Sequence, residues 1–153
     1  MAAPLVRPVV RADYDQWLPL WDGYNAFYGR QGATALDPAI TATTWERFFN
    51  DGEPVRALVA EQGSRLVGLT HYIFHRSTTA IAPICYLQDL FTSEAARGHG
   101  VGRALIEGVY ARTGSRRLAR LLASARDQPD RNAALRPHRR TLRLSGVPQT
   151  ALI

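Results

Sequence analysis

Arg97-Gly98-His99-Gly100-Val101-Gly102 is the stretch whose reading decides the fold. A strand-like run over residues 85–92 precedes it, and a helix-like run over residues 103–112 comes after it. A chain that turns from strand into helix through three glycines gathers unpaired backbone N–H groups at one point. With the positive end of the helix dipole behind them, those donors form a cradle for a phosphate or pyrophosphate. Glycine suits the position because a Cβ would hold the anion off the backbone and restrict φ. The expectation is a phosphate-bearing cofactor at the mouth of a sheet.

Three phosphate-binding patterns compete for this loop. A dinucleotide fingerprint has the spacing G-x-G-x-x-G with an acidic residue about 20 positions on. Here the glycines run G-x-G-x-G and no acid occurs at that distance. A P-loop needs a Lys-Ser/Thr pair after its last glycine, and the chain has no lysine at all. The third pattern, R-x-x-G-x-G, is met by Arg97, Gly100 and Gly102. A plain glycine-rich turn in an ordinary α/β domain is the competing reading, but such a turn rarely gathers three glycines and an arginine at one helix start.

The R-x-x-G-x-G pattern resembles the acetyl-CoA pyrophosphate loop of the GNAT (Gcn5-related) N-acetyltransferases. Tyr86-Leu87-Gln88-Asp89-Leu90-Phe91-Thr92 looks like the family's fourth strand, and Arg103-Ala104-Leu105-Ile106-Glu107 like the start of its cofactor helix. The resemblance covers roughly residues 3–120 and is closest to the small-amine and histone-acetyltransferase-like branch. It implies an α+β fold of three layers, α/β/α, around a mixed, mostly antiparallel sheet. Acetyl-CoA is the implied cosubstrate, and a small-molecule or peptide amine (a small amine, a polyamine-like compound or a lysine side chain) the implied acceptor. The resemblance leaves the oligomeric state open, sheet-edge homodimers being common in the family.

By motif position, Arg97, Gly98, His99, Gly100, Val101, Gly102 and Arg103 would hold the pyrophosphate, while Leu90, Phe91 and Thr92 lie along the pantetheine arm, the backbone of Leu90 and Thr92 polarising the thioester carbonyl. A primary amine attacks that carbonyl directly in a ternary complex, so no Ser-His-Asp or Cys-His set is required. Related sequences often carry a glutamate where Gln88 stands. An amide cannot take a proton, so Gln88 is read as a positioning group. Asp89 is charged but is expected on the opposite face of the strand, orienting backbone or a water. His71, His75 and Tyr86 are further candidates for proton handling. A non-catalytic, degenerate CoA-binding domain is the alternative function, and an arginine-rich nucleic-acid binder a third.

At 153 residues the chain reads as one domain with a single core. It shows neither a long apolar run nor a signal-peptide pattern. One cysteine, Cys85, permits no internal disulfide and points to a reducing, cytoplasmic setting. The net charge is +6, and all 19 basic residues are arginine. Residues 1–120 carry 13 Arg against 11 acids, and residues 121–153 carry 6 against 2, so most of the basicity lies in the tail. It is not read as a nucleic-acid footprint of the folded domain, which would need clustering on one face.

Residues 5–10 read as a strand that Pro8 confines to an edge. Asp13 with Gln16 is a candidate capping box for a helix whose Trp17, Leu20, Trp21, Tyr24, Phe27 and Tyr28 share one face. Thr43 with Glu46 offers a second box, with Trp45, Phe48 and Phe49 as its apolar face. In the resembled family these two helices wall the acceptor cleft. A hairpin is expected from residues 55–61 and 66–75 around Gln62-Gly63-Ser64. His71 and His75 then lie on one strand face, toward solvent or the cleft, with no third ligand for a metal. Residues 77–82 read as a loop, residues 84–91 as the central strand, and Val101, Leu105 and Val109 as the apolar face of the cofactor helix.

After Arg120 the pattern changes. All 14 aromatic residues precede it, and Pro129, Pro137 and Pro148 punctuate an arginine-bearing tail with no sustained period. Residues 1–120 are therefore read as an incomplete acetyl-CoA-binding domain and residues 121–153 as an aberrant, disordered tail in which the C-terminal strands are missing. The resembled family carries an asparagine near the cofactor and a tyrosine near its sulfur in this region; Asn132 lacks that context and no tyrosine occurs after Arg120. Synonymous codons can be chosen for residues 121–152 so that a shifted frame spells V-Y-W, then E-T-N, and reaches a stop. The hypothesis is a frameshift near Arg120, real or a sequencing error, and coding DNA whose codons forbid that frame would dispose of it.

Overall fold

The computed structural model describes residues 3–113. The boundary expected at residue 120, the tail from residue 121 and the frameshift inferred there lie outside the described residues. Chain order is β1 (Leu5–Pro8), α1 (Tyr14–Phe27), α2 (Pro38–Arg47), β2 (Val55–Gln62), β3 (Arg65–Ser77), β4 (Ala80–Thr92) and α3 (Val101–Thr113). The strands lie in the order β1-β2-β3-β4, and every neighbouring pair is antiparallel. The sheet expected to be mixed is thus wholly antiparallel among the described residues. Pro8 ends the edge strand β1, where a missing N–H is tolerated.

Two helical layers cover the sheet. On one face Trp17, Leu20, Trp21 and Tyr24 of α1, with Trp45 and Phe48 at α2, pack on Ala57, Val59 and Leu69. On the other, Val101, Leu105 and Val109 of α3 pack on Leu58, Ala60, Tyr72, Cys85 and Leu87. Each buried valine or leucine among these contributes on the order of 1.5–3 kcal/mol. The architecture is the expected three-layer α+β sandwich. Among the described residues no helix is long and apolar enough to cross a membrane.

Several local expectations give way to longer-range partners. Asp13 does not cap α1: its carboxylate takes both terminal nitrogens of Arg7, at 2.7 and 2.9 Å, and the Val10 amide at 2.8 Å. The hydrogen bonds from Arg7 hold the buried Asp13 carboxyl below the usual range. Gln16 instead pins α1 to the β2–β3 turn, accepting from the Leu66 amide at 3.0 Å and donating to Ser64 O at 3.3 Å. The cap of α2 is Asp37, which accepts from the Ala39 amide at 2.8 Å ahead of Pro38 in the first turn, so Thr43 is mid-helix and bonds Ala39 O. Phe27 and Tyr28, expected on the buried face, are 72% and 57% exposed because α1 stops there. Ser77 pairs with Ala80, so the expected loop is mostly a tight hairpin, and β4 is the last strand of the sheet among the described residues.

Candidate active site

β4 passes into α3 through the glycine loop. Gly98 and Gly100 have φ of +78° and +79°, a left-handed backbone that a Cβ disfavours. Ala104 donates to Gly100 O at 2.9 Å, which leaves the amides of Val101, Gly102 and Arg103 ahead of it as the unpaired donors of a helix start. Gly102 is helical, and its glycine has another reason. A Cβ there would sit 3.7 Å from Thr92 Oγ1 and 3.9 Å from Leu90 Cδ2. The missing side chain therefore leaves a gap of about one methyl group between the first turn of α3 and the end of β4. Arg97 flanks this gap with its Nε 3.4 Å from Thr92 O, Arg103 pairs with Glu107 at 2.8 Å, and His99 is exposed.

Register determines which groups β4 presents at the edge beside that gap. Ser93 N–H donates to Val67 O at 2.9 Å, in line with the pairs Gly68–Thr92, Leu69–Phe91, Thr70–Leu90 and His71–Asp89. Hydrogen bonds alternate along an antiparallel pair, so Phe91 and Asp89 turn their backbone groups toward β3. Leu90 and Thr92 turn theirs outward, to an edge with no neighbouring strand among the described residues. At the next step the register slips: His71 pairs with Asp89 but Tyr72 with Leu87, which leaves Gln88 in a bulge.

The bulge corrects one expectation. Strict alternation puts Gln88 and Asp89 on opposite faces; the extra residue brings both to one cleft. This cleft of about 540 Å³ lies between α1, α2 and the strands β3 and β4, with Tyr24, Asn25, Arg30, Arg47 and His71 among its lining residues. Asp89 is buried at its floor, 2.9 Å from His71 Nδ1. The other ring nitrogen, Nε2, accepts from Trp17 Nε1 at 3.2 Å. Indole is a donor only, so Nε2 carries the lone pair and the neutral ring donates from Nδ1 to Asp89. Tyr24 stands at the same carboxylate; burial first, and then its hydrogen bond to Asp89, push its hydroxyl well above the ordinary tyrosine range.

His71 lines the cleft, as one side of the strand-face expectation had it, but it is buried with both ring nitrogens engaged, an orienting group and not a free proton carrier. His75 is exposed and bonds Arg76 O, and Tyr86 is exposed; neither lines the cleft. Periodicity does not single out Asn25 or Arg30, and by periodicity Trp17 and Tyr24 are core residues alone. Gly29 just before Arg30 is the available signal, since a glycine that closes a helix also fixes the direction of the next residue. Among the described residues no three His, Cys, Asp or Glu side chains gather as a metal site.

A glycine-entered helix start beside the outward edge of β4, with an acid-floored cleft bordered by the same strand, defines the site of a three-layer α+β domain. The chain belongs to the GNAT acetyltransferase family, whose model matches residues 17–142. That span includes the first part of the stretch in which the sequence pattern changes. A D-amino-acid N-acetyltransferase, HPA3, of Saccharomyces cerevisiae is 32% identical over 111 residues, 71% of this chain and 66% of that protein. The chain thus spans just under two thirds of that relative. Among solved structures, the ribosomal-protein-alanine N-acetyltransferase from Brucella melitensis biovar Abortus 2308 aligns with a TM-score of 0.57 at 19% identity, over 74% of this chain and 73% of that one. AAC(6')-Iy in complex with a CoA-linked bisubstrate analogue aligns with a TM-score of 0.59 at 15% identity, over 84% and 92%. At such identities these two likenesses speak for the fold.

Proposed function

We propose that the protein is an acetyl-CoA-dependent N-acetyltransferase working on a primary amine in the reducing cytoplasm. One observation carries the reading: neighbouring residues at the end of β4 serve both openings. Asp89 gives its carboxylate to the cleft, while Leu90 and Thr92 give backbone groups to the gap below α3. The helix start suits the diphosphate of the cosubstrate, because its unpaired groups are main-chain donors and Gly102 adds no side chain beside them. Val101, Gly102 and Arg103 amides, with Gly98 and Gly100 shaping the loop and Arg97 and Arg103 beside it, would take the diphosphate; Leu90 and Thr92 would pair with the amide-bearing arm. Bound acetyl-CoA supplies an acyl carbon already activated as a thioester.

Asp89, held by His71 and Tyr24, removes one proton from the acceptor ammonium. Nitrogen then forms its bond to the acyl carbon as the C–S bond breaks. The second proton leaves with the thiolate as CoA thiol, and the one on Asp89 returns to water. Gln88, beside the same point, orients the amine. The acceptor is a small-molecule amine or a lysine side chain, and the name of the yeast relative adds the amine of a D-amino acid to that class. We further infer that this 153-residue chain turns over slowly, since the stretch after Arg120 lacks the asparagine and tyrosine the family places there.

Titration calorimetry with acetyl-CoA, run beside CoA-thiol release over an amine panel at high enzyme concentration, tests the reading. Saturable binding with slow, amine-dependent release is expected. Binding without any release would favour the degenerate CoA-binding alternative, and no binding would remove the assignment. Sequencing the coding DNA across Arg120 tests the frameshift.

A further inference from the structure

The cleft holds more positive charge than transfer to a bare amine requires. Its lining includes two guanidinium groups, Arg30 and Arg47, against the one carboxylate of Asp89. Arg47 has an acidic neighbour, Glu53, at 3.8 Å. Arg30 has no carboxylate partner among the described residues, although its position is closely specified.

Helix α1 closes on Gly29, at φ +76°. The Gly29 amide donates to Ala26 O at 2.9 Å and the Arg30 amide to Asn25 O at 2.9 Å, the paired bonds of a glycine C-cap. The same Asn25 is buried, its Nδ2 donating to Trp21 O at 2.9 Å and its Oδ1 accepting from Arg30 Nε at 2.7 Å. One residue thus fixes both the backbone and the guanidinium of Arg30. The rings of Tyr24 and Tyr28 lie 5.7 and 5.5 Å from Cζ. The N–H groups on the two terminal nitrogens have no acceptor among the described residues, which leaves the planar fork available for a carboxylate.

We propose that Arg30, clamped by Asn25, is the receptor for a carboxylate on the acceptor, so that the cleft selects amino-acid-like amines over polyamines. The inference rests on the acetyl-transfer reading of the same cleft. Its spacing comes from Tyr24, whose hydroxyl meets Asp89 while its ring stands beside Arg30. Cation and anion are one tyrosine side chain apart, a span that an amine and a carboxylate a few bonds apart can bridge. A polyamine would set its second ammonium against Arg30, a like-charge contact.

The test uses the whole chain, saturated with CoA, and three probes: phenylalanine, phenylalaninamide and phenethylamine. Affinity is measured by calorimetry, and CoA-thiol release is monitored separately with acetyl-CoA. Phenylalanine should bind at least about tenfold more tightly than its amide. In Arg30→Gln that preference should disappear while phenethylamine binds as before, and Arg30→Lys should restore it in part. Equal affinity of acid and amide for the unmodified chain, or failure of phenylalanine to bind, would overturn the proposal without any variant. So would an Arg30→Gln effect of equal size on all three probes, which would mark a structural role. Preferential binding of phenylalanine with no thiol release would leave Arg30 standing and remove acetyl transfer. Release that ignores the carboxylate would do the reverse.

Discussion

Asp89 is where chemistry and packing meet in a single side chain. It is buried, yet it is supplied with donors: His71 Nδ1 at 2.9 Å, its tautomer fixed from behind by Trp17, and the Tyr24 hydroxyl. Replacement by asparagine separates its two roles. Asn Oδ1 can still accept from His71, so the floor of the cleft stays in place, whereas an amide cannot take the acceptor's proton. Asp89→Asn should therefore lower the single-turnover rate of CoA-thiol release by about a hundredfold or more, with acetyl-CoA affinity unchanged within about twofold, since Leu90 and Thr92 contribute through backbone. A rate that stays near that of the parent chain would pass the base role to another group. Strand alternation misses the shared face of Gln88 and Asp89 because a bulge is a property of pairing, and the partner strand is not visible from β4 alone. Asp13 and Gln16 show the same limit: local spacing suggests a cap, but Arg7 and Leu66 are the stronger partners.

Helix α3 and strand β4 carry the cofactor argument, and their relation is the most legible part of the chain. Three glycines after a strand announce a sharp turn into a helix, and Val101, Leu105 and Val109 announce which face is buried; both are found. What spacing does not separate is that the glycines differ in purpose. Gly98 and Gly100 serve the turn, whereas Gly102 leaves space. This difference is testable. At a helical position Gly→Ala gains up to about 1 kcal/mol in propensity, and here a methyl would meet only ordinary contacts, 3.7 Å or more away. Gly102→Ala should hold or raise the melting temperature, and Gly102→Leu should leave the fold intact while weakening acetyl-CoA binding by about tenfold or more. If leucine at 102 left affinity untouched, the gap between α3 and β4 would not be the binding slot. Helix caps and bounds are less legible: Asp37-Pro38 is a plain start signal, outweighed in the sequence by the aromatic run downstream of it.

At the scale of the molecule, two helical layers share one sheet, and each layer holds its own reporter. All three tryptophans, Trp17, Trp21 and Trp45, lie in the layer of α1 and α2. The single cysteine, Cys85, lies in the layer of α3, where burial pushes its thiol up to about 11. A thiol that is both buried and protonated at pH 8 reacts only when its layer opens. The layers are coupled through β2, whose Leu58 and Ala60 pack under α3 while Ala57 and Val59 pack under α1 and α2. A strand with alternate residues in two cores cannot leave one of them without disturbing the other. Tryptophan fluorescence and Cys85 labelling should then report the same urea midpoint, as a two-state domain requires. Acetyl-CoA, in the position proposed for it along β4 and α3, should raise the two midpoints together, by the amount that about 2.7 kcal/mol of stabilisation gives at a hundred times its dissociation constant. Labelling of Cys85 well before the fluorescence change would mean that α3 detaches as a separate unit. In that event the helix start proposed to take the cosubstrate would be formed only part of the time, and binding itself would have to supply the missing order.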